Sequence, residues 1–350
     1  MLPKPDQCKP CPLYQNGLGI VYDEIHDEAL VQIHAQGPGV DEEREGRPKC
    51  GATGKLEEAK FFPLANLTRN DVSLSNAIRC RWLKNGKPTN ELPPPKVLQQ
   101  AIEHCQRAYF RVGASTKLIV AQGSPAWQSL GGSGAVTEWR GYTAGYNNIP
   151  VLAMIHPAAL YHSPEYTTAT ILDWKKVPRI LSGEWPSPLP PHKLVTEQEI
   201  KSGAFDLWMS AANRAPFVMI DTEYAPAVPN TNSVLRLIGV SYPGAPHVYI
   251  QEWVHTSEPS WTRACFIQLF TNLISRVPVV MFNAIADIAV LSSAFGLAWK
   301  DYYQVHDTML AHHSLYSELQ KGLGFLGSVY ANTPSWKSMR TFKKEEALKR

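Results

Sequence analysis

The N-terminal half of the chain carries four short apolar runs, each followed by a loop. The runs are ALVQIHA (29–35), VSLSNAI (72–78), KLIVAQG (117–123) and VLAMIHP (151–157). Stretches compatible with helices, such as residues 96–112, lie between them. Buried strands that alternate with helices predict a parallel α/β sheet, whose functional sites form at the carboxyl ends of the strands.

The C-terminal half shows a second α/β pattern of its own. Residues 183–193 are rich in proline and have neither a helical nor a strand period, so they predict a linker, and residues 196–215 predict a helix. The elements expected after that helix are strands FVMIDTE (217–223), SVLRLIGVSY (233–242) and HVYIQEW (247–253), a helix over 261–275 and the strand VPVVMFN (277–283).

Composition narrows the class of protein. A length of 350 residues predicts about two domains, and a hydrophobic content of 44% suffices for two cores. The net charge of +3 does not by itself indicate a nucleic-acid binder. No apolar run is long enough to span a membrane, and the N-terminus lacks the apolar segment of a signal peptide. We therefore expect a soluble cytoplasmic protein with reduced cysteines and no membrane partner.

Four cysteines have a spacing that suits metal ligation. Cys8 and Cys11 form a C-x-x-C pair, Cys80 ends a predicted strand, and Cys105 lies in a predicted helix. Two close thiolates and two distant ones can complete a four-sulfur shell around zinc or an iron–sulfur cluster. The alternative is a pair of free thiols beside two unrelated buried cysteines.

The order of these motifs resembles a known family. CPLY, a Pro-Gly loop, Gly-Arg-Pro, an Asn in a predicted strand, Cys-Arg, a distant Cys and then HPAAL resemble the iron–sulfur (family 4 type) uracil-DNA glycosylases over residues 8–180. The resemblance implies a uracil-DNA-glycosylase-like parallel-sheet domain that binds DNA. It also implies that the four cysteines hold a [4Fe–4S] cluster.

The first motif of that family departs from its pattern here. The family has Gly-Glu-Ala-Pro-Gly, then an acid, then Gly-Arg-Pro-Phe; this chain keeps Gly37 and Glu42 but places Gln36 at the Glu and Lys49 at the Phe. Uracil excision requires a flipped base that stacks on an aromatic face. Gln cannot act as a base, and Lys has no π-face and a charge that opposes a developing sugar cation.

Other base-contacting positions of the family remain. Asn76 matches the residue that reads the uracil edge, and His156 matches the residue that stabilises charge on the departing uracil oxygen. A turn residue with a satisfied hydrogen bond is the structural alternative for His156. We expect a retained scaffold rather than a working uracil site.

A second candidate chemistry lies in VMIDTEYAP. Asp221 and Glu223 are two residues apart on a predicted strand, so both side chains point to the same face. Two carboxylates on one face repel unless a cation lies between them, which is typical of a divalent-metal site. A solvated strand end is the simpler alternative.

The residues that follow resemble the DEDD 3′–5′ exonucleases, which have a ribonuclease H-like fold. Asn283 and Asp287 lie one helical turn apart in FNAIADIAVL, and HDTML follows, most closely as in family A DNA polymerases of phages and bacteria. The resemblance implies that Asp221, Glu223 and Asp287 bind Mg²⁺ or Mn²⁺ and that Asn283 lies near nucleic acid. Asp307 is expected to be structural or near the substrate.

One acid of that family is missing. The family supplies it from a Tyr-x-x-x-Asp helix, but no such motif follows Tyr330, and Glu345 or Glu346 are the nearest substitutes. We expect a glycosylase-like domain at 1–182, a linker and helix at 183–213, and an exonuclease-like domain at 214–350.

Three functions remain open at this point. The first is a metal-dependent proofreading exonuclease that acts on single-stranded DNA or a primer 3′ end, with a glycosylase-like DNA-binding domain. The second is an active uracil-DNA glycosylase. The third is a non-catalytic DNA-binding subunit that docks a separate polymerase. The protein would act in the host cytoplasm if a phage encodes it.

Overall fold

The computed structural model describes residues 2–184, 190–225, 234–253, 257–331 and 335. Contacts divide the chain into two compact units. One comprises Met1–Ser187 with Gly324–Arg350, and the other comprises Pro188–Leu323. Within the described ranges, no helix is long and apolar enough to cross a membrane.

The N-terminal unit is built on a five-stranded sheet of order β3-β2-β6-β8-β7. Its first four strands are parallel, which confirms the predicted sheet, and β7 pairs with β8 in the antiparallel direction. A smaller antiparallel sheet has the order β1-β4-β5. The strands are β1 (Gly17–Ile20), β2 (Val31–Ala35), β3 (Val72–Asn76), β4 (Cys80–Lys84), β5 (Lys87–Pro88), β6 (Leu118–Gln122), β7 (Thr143–Tyr146) and β8 (Ile149–Met154).

Helices cover both faces of this sheet. Every residue of β2, β3 and β6 is buried, as expected for a parallel sheet between two helical layers. One face packs against Phe61, Phe62 and Trp174, and the other packs against Trp127. The helices are α1 (Leu13–Asn16), α2 (Val40–Glu45), α3 (Ala52–Leu56), α4 (Pro95–Ala108), α5 (Ser124–Ser129), α6 (Val136–Trp139) and α7 (Thr167–Leu181).

The C-terminal unit contains a six-stranded sheet of order β14-β13-β10-β11-β12-β9. Strands β10, β11 and β12 are antiparallel neighbours, whereas β13 and β14 run parallel to β10. This is the strand order of a ribonuclease H-like sheet, so that prediction is confirmed. The strands are β9 (His192–Leu194), β10 (Val218–Ala225), β11 (Val234–Ser241), β12 (Val248–Glu252), β13 (Val279–Met281) and β14 (Val305–Asp307).

Six helices are described in the second half of the chain, and all but the last lie within the unit that contains this sheet. They are α8 (Glu197–Lys201), α9 (Ala204–Ala212), α10 (Ser260–Ile274), α11 (Ala284–Phe295), α12 (Thr308–Leu315) and α13 (Leu323–Tyr330). The single helix predicted over 196–215 is two helices, because Gly203 adopts a left-handed backbone (φ 72°) between them.

The structure also differs from the linker predicted at 183–193. Residues 185–189 lie outside the described ranges, but His192–Leu194 form an edge strand that pairs in parallel with β12. Three residues are too short to show a strand period, so only the pairing identifies them.

The position of helix α13 differs from the exonuclease-like domain predicted over 214–350. From Gly324 onward the chain belongs to the N-terminal unit. The buried Lys176 Nζ donates hydrogen bonds to the carbonyl oxygens of Gly141 (2.7 Å), Ser328 (3.0 Å) and Ala331 (3.0 Å). Those last two acceptors are carbonyls at the end of a helix, which have no partner within the helix itself.

The Arg140–Asp173 ion pair lies beside this helix and is buried. Asp173 is fully buried, Arg140 is 4% exposed, and Arg140 also donates to Ser328 Oγ (3.1 Å). We expect Arg140→Met to lower the free energy of unfolding by about 3–5 kcal/mol, because it leaves a buried carboxylate without a partner.

Chemical denaturation measures this effect. Arg179→Met is the matched control, because it removes an arginine from the exposed pair with Glu184 and should cost at most about 1 kcal/mol. Equal losses in the two variants would contradict the proposed importance of the buried pair.

Candidate functional site

A cleft of about 570 Å³ opens at the carboxyl edge of the parallel sheet. Gln36 follows β2, Asn76 ends β3, and His156 lies just after β8. Because these strands are parallel and close together in one sheet, their carboxyl ends bring the three side chains to one place. The predicted residues that line the cleft are Gln36, Gly37, Glu42, Lys49, Asn76 and His156.

The loop that carries Gln36 has little steric freedom. A Cβ on Gly123 would lie 2.6 Å from Gln36 Cδ, and Gly123 has a φ of 89° that favours glycine. A Cβ on Gly37 would lie 2.7 Å from Ile78 Cγ1. The Gln36 side chain is therefore packed directly against the backbone that follows β6.

Glu42 serves the loop rather than the open cleft. Its carboxylate accepts a hydrogen bond from the backbone N–H of Gly39 and so caps the first turn of α2. Burial raises the pKa of Glu42 above its ordinary value, and the Gly39 hydrogen bond and the Lys49 charge oppose that rise.

Lys49 belongs to a closed, buried hydrogen-bonded group. Its Nζ donates to Glu57 Oε2 (2.6 Å) and to Gln122 Oε1, and Gln122 Nε2 donates to Glu57 Oε1. Glu57 is fully buried and Lys49 is 6% exposed. The Lys49 charge therefore has a counter-charge that the sequence analysis did not foresee.

The backbone of Lys49 is held as firmly as its side chain. Its carbonyl accepts a hydrogen bond from Arg69 Nη1 (3.0 Å), and a Cβ on Gly54 would lie 1.8 Å from that carbonyl oxygen. Lys49 has a positive φ of 55°, which is uncommon outside glycine. Position 49 is thus built around lysine and its partners.

Two residues of this group escaped sequence reasoning. Gln122 is the polar end of the predicted strand 117–123, so its position at the site edge was a usable signal. Glu57 lies on a π-helical turn, Glu57–Phe61, that continues α3. No periodic pattern announces such a turn, although π-turns are frequent at functional sites.

His156 presents a neutral imidazole to the cleft. The backbone N–H of Ala158 donates to His156 Nδ1 (3.2 Å), so the ring proton resides on Nε2. Burial, with the charge of Lys49 as a second cause, lowers the pKa of His156 well below its ordinary value. At neutral pH the ring can therefore donate one hydrogen bond without carrying a charge.

The four predicted ligand cysteines are all buried, free thiols. Cys8, Cys11 and Cys80 share one hydrophobic cluster, and Tyr109 Oη lies 2.9 Å from Cys8 Sγ. Burial raises the pKa of Cys80 to about 12, and the nearby Lys4 charge lowers it while the three other thiols add to the rise. Four thiols have the donor chemistry of an iron–sulfur cluster or zinc, but among the described residues they are not arranged as a site for a single metal ion.

The acids of the C-terminal unit lie on its central strand and the helix after β13. On β10, buried and exposed residues alternate, and Asp221 and Glu223 share the exposed face. Burial raises the pKa of Asp221, and the charge of Glu223 adds to the rise. These two carboxylates therefore repel each other, as the sequence predicts for two acids on one face of a strand.

Asp287 lies in the first turn of α11 and accepts a hydrogen bond from Thr222 Oγ1 (2.5 Å). Burial raises its pKa to about 6, opposed by the Thr222 hydrogen bond and reinforced by the charges of Asp221 and Asp307. Thr222 faces the opposite side of β10 from Asp221 and Glu223.

The three acids are thus electrostatic neighbours without forming a complete metal shell. Among the described residues, no group of three or more His, Cys, Asp or Glu side chains is arranged to hold a metal ion. Joint metal binding by Asp221, Glu223 and Asp287 stays a prediction. Glu345 and Glu346, the suggested substitutes for the missing acid, lie outside the described residues.

Asp307 and Asn283 have structural contacts. Asp307 accepts hydrogen bonds from the backbone N–H groups of Asn283 (3.0 Å), Ala284 (2.9 Å) and Met309 (2.8 Å). Asn283 adopts a left-handed backbone (φ 56°) at the start of α11. Together they fix the helix that carries Asp287.

Comparison with known proteins shows which proteins the N-terminal part of the chain is similar to. Residues 22–175 match the family model of the uracil DNA glycosylase superfamily. This match covers somewhat less than half of the chain. It is similar to a type-4 uracil-DNA glycosylase of Sulfurisphaera tokodaii, with 29% identity over 178 residues that cover 49% of this chain and 78% of the relative. One of Thermotoga maritima is 28% identical over 157 residues, which cover 44% and 78%.

Solved structures of RNase D are similar to the C-terminal part of the chain. Trypanosoma brucei RNase D with RNA U12 matches at 16% identity and a TM-score of 0.35, over 43% of this chain and 50% of that one. Escherichia coli RNase D matches at 14% and 0.32, over 43% and 36%. The chain thus spans at most about half of these proteins, and its ribonuclease H-like fold is read from its own sheet order.

The Lys49–Glu57 pair yields a stability test. We expect Lys49→Met to lower the free energy of unfolding by about 3–5 kcal/mol, because the fully buried Glu57 loses its cation. The double variant Lys49→Met/Glu57→Gln should recover much of that loss. A denaturant-unfolding series checks both, and a double variant no more stable than Lys49→Met would contradict the pairing.

Proposed function

We propose that the chain is a DNA-processing protein whose C-terminal unit is a divalent-metal-dependent 3′–5′ exonuclease. The observation that carries the proposal is the placement of Asp221 and Glu223 on the central strand of a ribonuclease H-like sheet. Asp287 follows the neighbouring strand β13 at the start of α11, close enough for the charge of Asp221 to raise its pKa.

The chemistry of these acids favours a hard divalent cation. Carboxylate oxygens are the ligands that Mg²⁺ and Mn²⁺ prefer, and a cation would relieve the repulsion between Asp221 and Glu223. Asp221, Glu223 and Asp287 are the residues that would hold it. The metal would supply an activated water and stabilise the leaving oxygen of the phosphodiester. A single-stranded or primer 3′ end is the proposed substrate.

The first test follows a 5′-labelled single strand through gel electrophoresis. With Mg²⁺ or Mn²⁺ we expect a ladder of products that shortens from the 3′ end. The ladder should disappear when EDTA is added and when the protein carries Asp221→Asn. Asp206→Asn is the matched control, since Asp206 is exposed on α9 away from the acids. A ladder of unchanged strength in Asp221→Asn would refute the assignment.

The same assay has an expected pH dependence. Asp287 must be deprotonated to bind a cation, and its pKa is raised to about 6. Cleavage should therefore weaken as the pH falls through about 6, and higher metal concentrations should offset the loss because metal binding displaces the proton. A flat profile between pH 5 and 8 would argue against Asp287 as a ligand.

A second function is supported by the cleft of the N-terminal unit. We propose that it binds a base turned out of DNA and does not excise it. Asn76 supplies an amide for a base edge, and His156 supplies a neutral donor. Trp82 and the 58% exposed Tyr161 bring aromatic rings to the cleft wall. Gln36 provides no carboxylate, and Lys49 offers no aromatic face.

The four buried cysteines would hold a [4Fe–4S] cluster in this proposal. The burial of all four, the hydrophobic cluster that Cys8, Cys11 and Cys80 share and the donor chemistry of four thiols support it. Such a cluster supplies either a structural cross-link or an electron-transfer centre. An association with a separate polymerase is also proposed, on the resemblance of the C-terminal unit to polymerase exonucleases.

The cleft proposal predicts binding without cleavage. DNA with one mismatched uracil should bind the full chain more tightly than matched DNA, and Asn76→Ala should reduce the difference roughly tenfold, the effect of about one good base-edge contact. Fluorescence anisotropy measures the affinities. An alkali-sensitive break at the uracil that survives EDTA would instead establish excision.

A further inference from the structure

Arg79 is a buried arginine between the cleft and the four-cysteine centre, which comprises Cys8, Cys11, Cys80 and Cys105. It is 1% exposed and immediately precedes Cys80 in the segment that begins with Asn76. An arginine cannot lose its proton in a protein, so its charge must be compensated where it lies. Its contacts show which groups do so.

On one side, Arg79 contacts the cysteine centre. Its Nη1 donates to the carbonyl oxygen of Cys105 (3.3 Å), and its guanidinium lies 5.4 Å from the ring centre of Tyr109. The hydroxyl of that tyrosine is 2.9 Å from Cys8 Sγ. Arg79 and Tyr109 thus place a cation and a polar hydroxyl next to two of the four cysteines.

On the other side, Arg79 is connected through Asp23 to Asn76, the proposed base-reading residue. Its Nη2 forms an ion pair with the nearly buried Asp23, and Asp23 Oδ1 accepts a hydrogen bond from the backbone N–H of Asn76 (3.4 Å). Asn76 ends β3 at the cleft. Only Asp23 separates the arginine from the residue that lines the cleft.

A third observation shows that the arginine is not fully satisfied by protein groups. Among the described residues, Arg79 Nε is buried and has no hydrogen-bond partner. A buried donor without a partner costs free energy, so such groups usually meet a ligand or a bound water. An anionic cluster held by the adjacent cysteines would compensate this cation.

We propose that Arg79 is a positioning residue that links the four-cysteine centre to Asn76 through Asp23, so that the state of the centre affects base selection in the cleft. This inference rests on the proposed cluster and the proposed base-binding cleft. Loss of the anionic centre would remove one partner of Arg79, and a change in the Arg79–Asp23 ion pair would reach the backbone N–H of Asn76 that Asp23 holds.

The link has an electrochemical signature that a packing role lacks. Reduction adds negative charge to a cluster, and a buried cation beside it stabilises the reduced form. Arg79→Gln should therefore lower the reduction potential, whereas Asp23→Asn should raise it because an anion is removed. Both variants should lower the preference for mismatched uracil over matched DNA roughly tenfold, toward the value of Asn76→Ala.

The experiment uses the full chain with its cluster. Iron and sulfide content are measured first, then the potential by a spectroscopic redox titration, and then the two DNA affinities. Arg79→Lys keeps the charge and should restore most of the potential. Arg179→Gln, which removes an exposed arginine, should change none of these values.

The outcomes separate the two levels of the proposal. Wild-type protein without iron, or without a preference for uracil mismatches, would refute the cluster or the cleft. Wild-type protein with both, together with an Arg79→Gln variant of unchanged potential, would refute the link. If Arg79→Gln does not fold, Asp23→Asn decides: a raised potential with lost preference supports the link, and an unchanged preference overturns it.

Discussion

Parallel pairing of strands is the constraint on which the N-terminal site depends. Because β3, β2, β6 and β8 run in the same direction, the residues that end them emerge at one edge of the sheet. These residues, Asn76, Gln36, Gln122 and His156, are therefore neighbours, although 80 residues of sequence separate Asn76 from His156. The buried strands leave them little freedom, since a slip of one residue would exchange the side chains of the two buried faces.

The same constraint explains why the substitutions in the first motif are not simple decay. Lys49 lies where Gln122 ends β6, and Glu57 approaches from a π-helical turn to complete the pair. An aromatic residue at position 49 would leave Glu57 buried and unpaired. Any change of position 49 to an aromatic residue would therefore need a second change at Glu57 to remove the uncompensated charge.

Much of the fold and of the cleft could be predicted from the sequence. Strong apolar runs defined the four parallel strands, and motif order placed Asn76 and His156 at their ends. Glu57, the partner of Lys49, could not be predicted, because a buried ion pair is a tertiary contact between residue types that are usually exposed to solvent. Strand β9 could not be predicted because three residues show no period. The packing of α13 could not be predicted because Lys176, which binds its carbonyl oxygens, lies 147 residues before the start of that helix.

The two candidate sites handle charge in opposite ways, and this difference bears on their chemistry. In the cleft, Lys49 and Glu57 neutralise each other, and His156 remains neutral. On β10, Asp221 and Glu223 repel each other and share that repulsion with Asp287. Amide side chains and a neutral imidazole are suited to reading a base, whereas neighbouring carboxylates are suited to binding a cation that activates water. The charges of the two sites therefore agree with the proposed base recognition in the first unit and the proposed hydrolysis in the second.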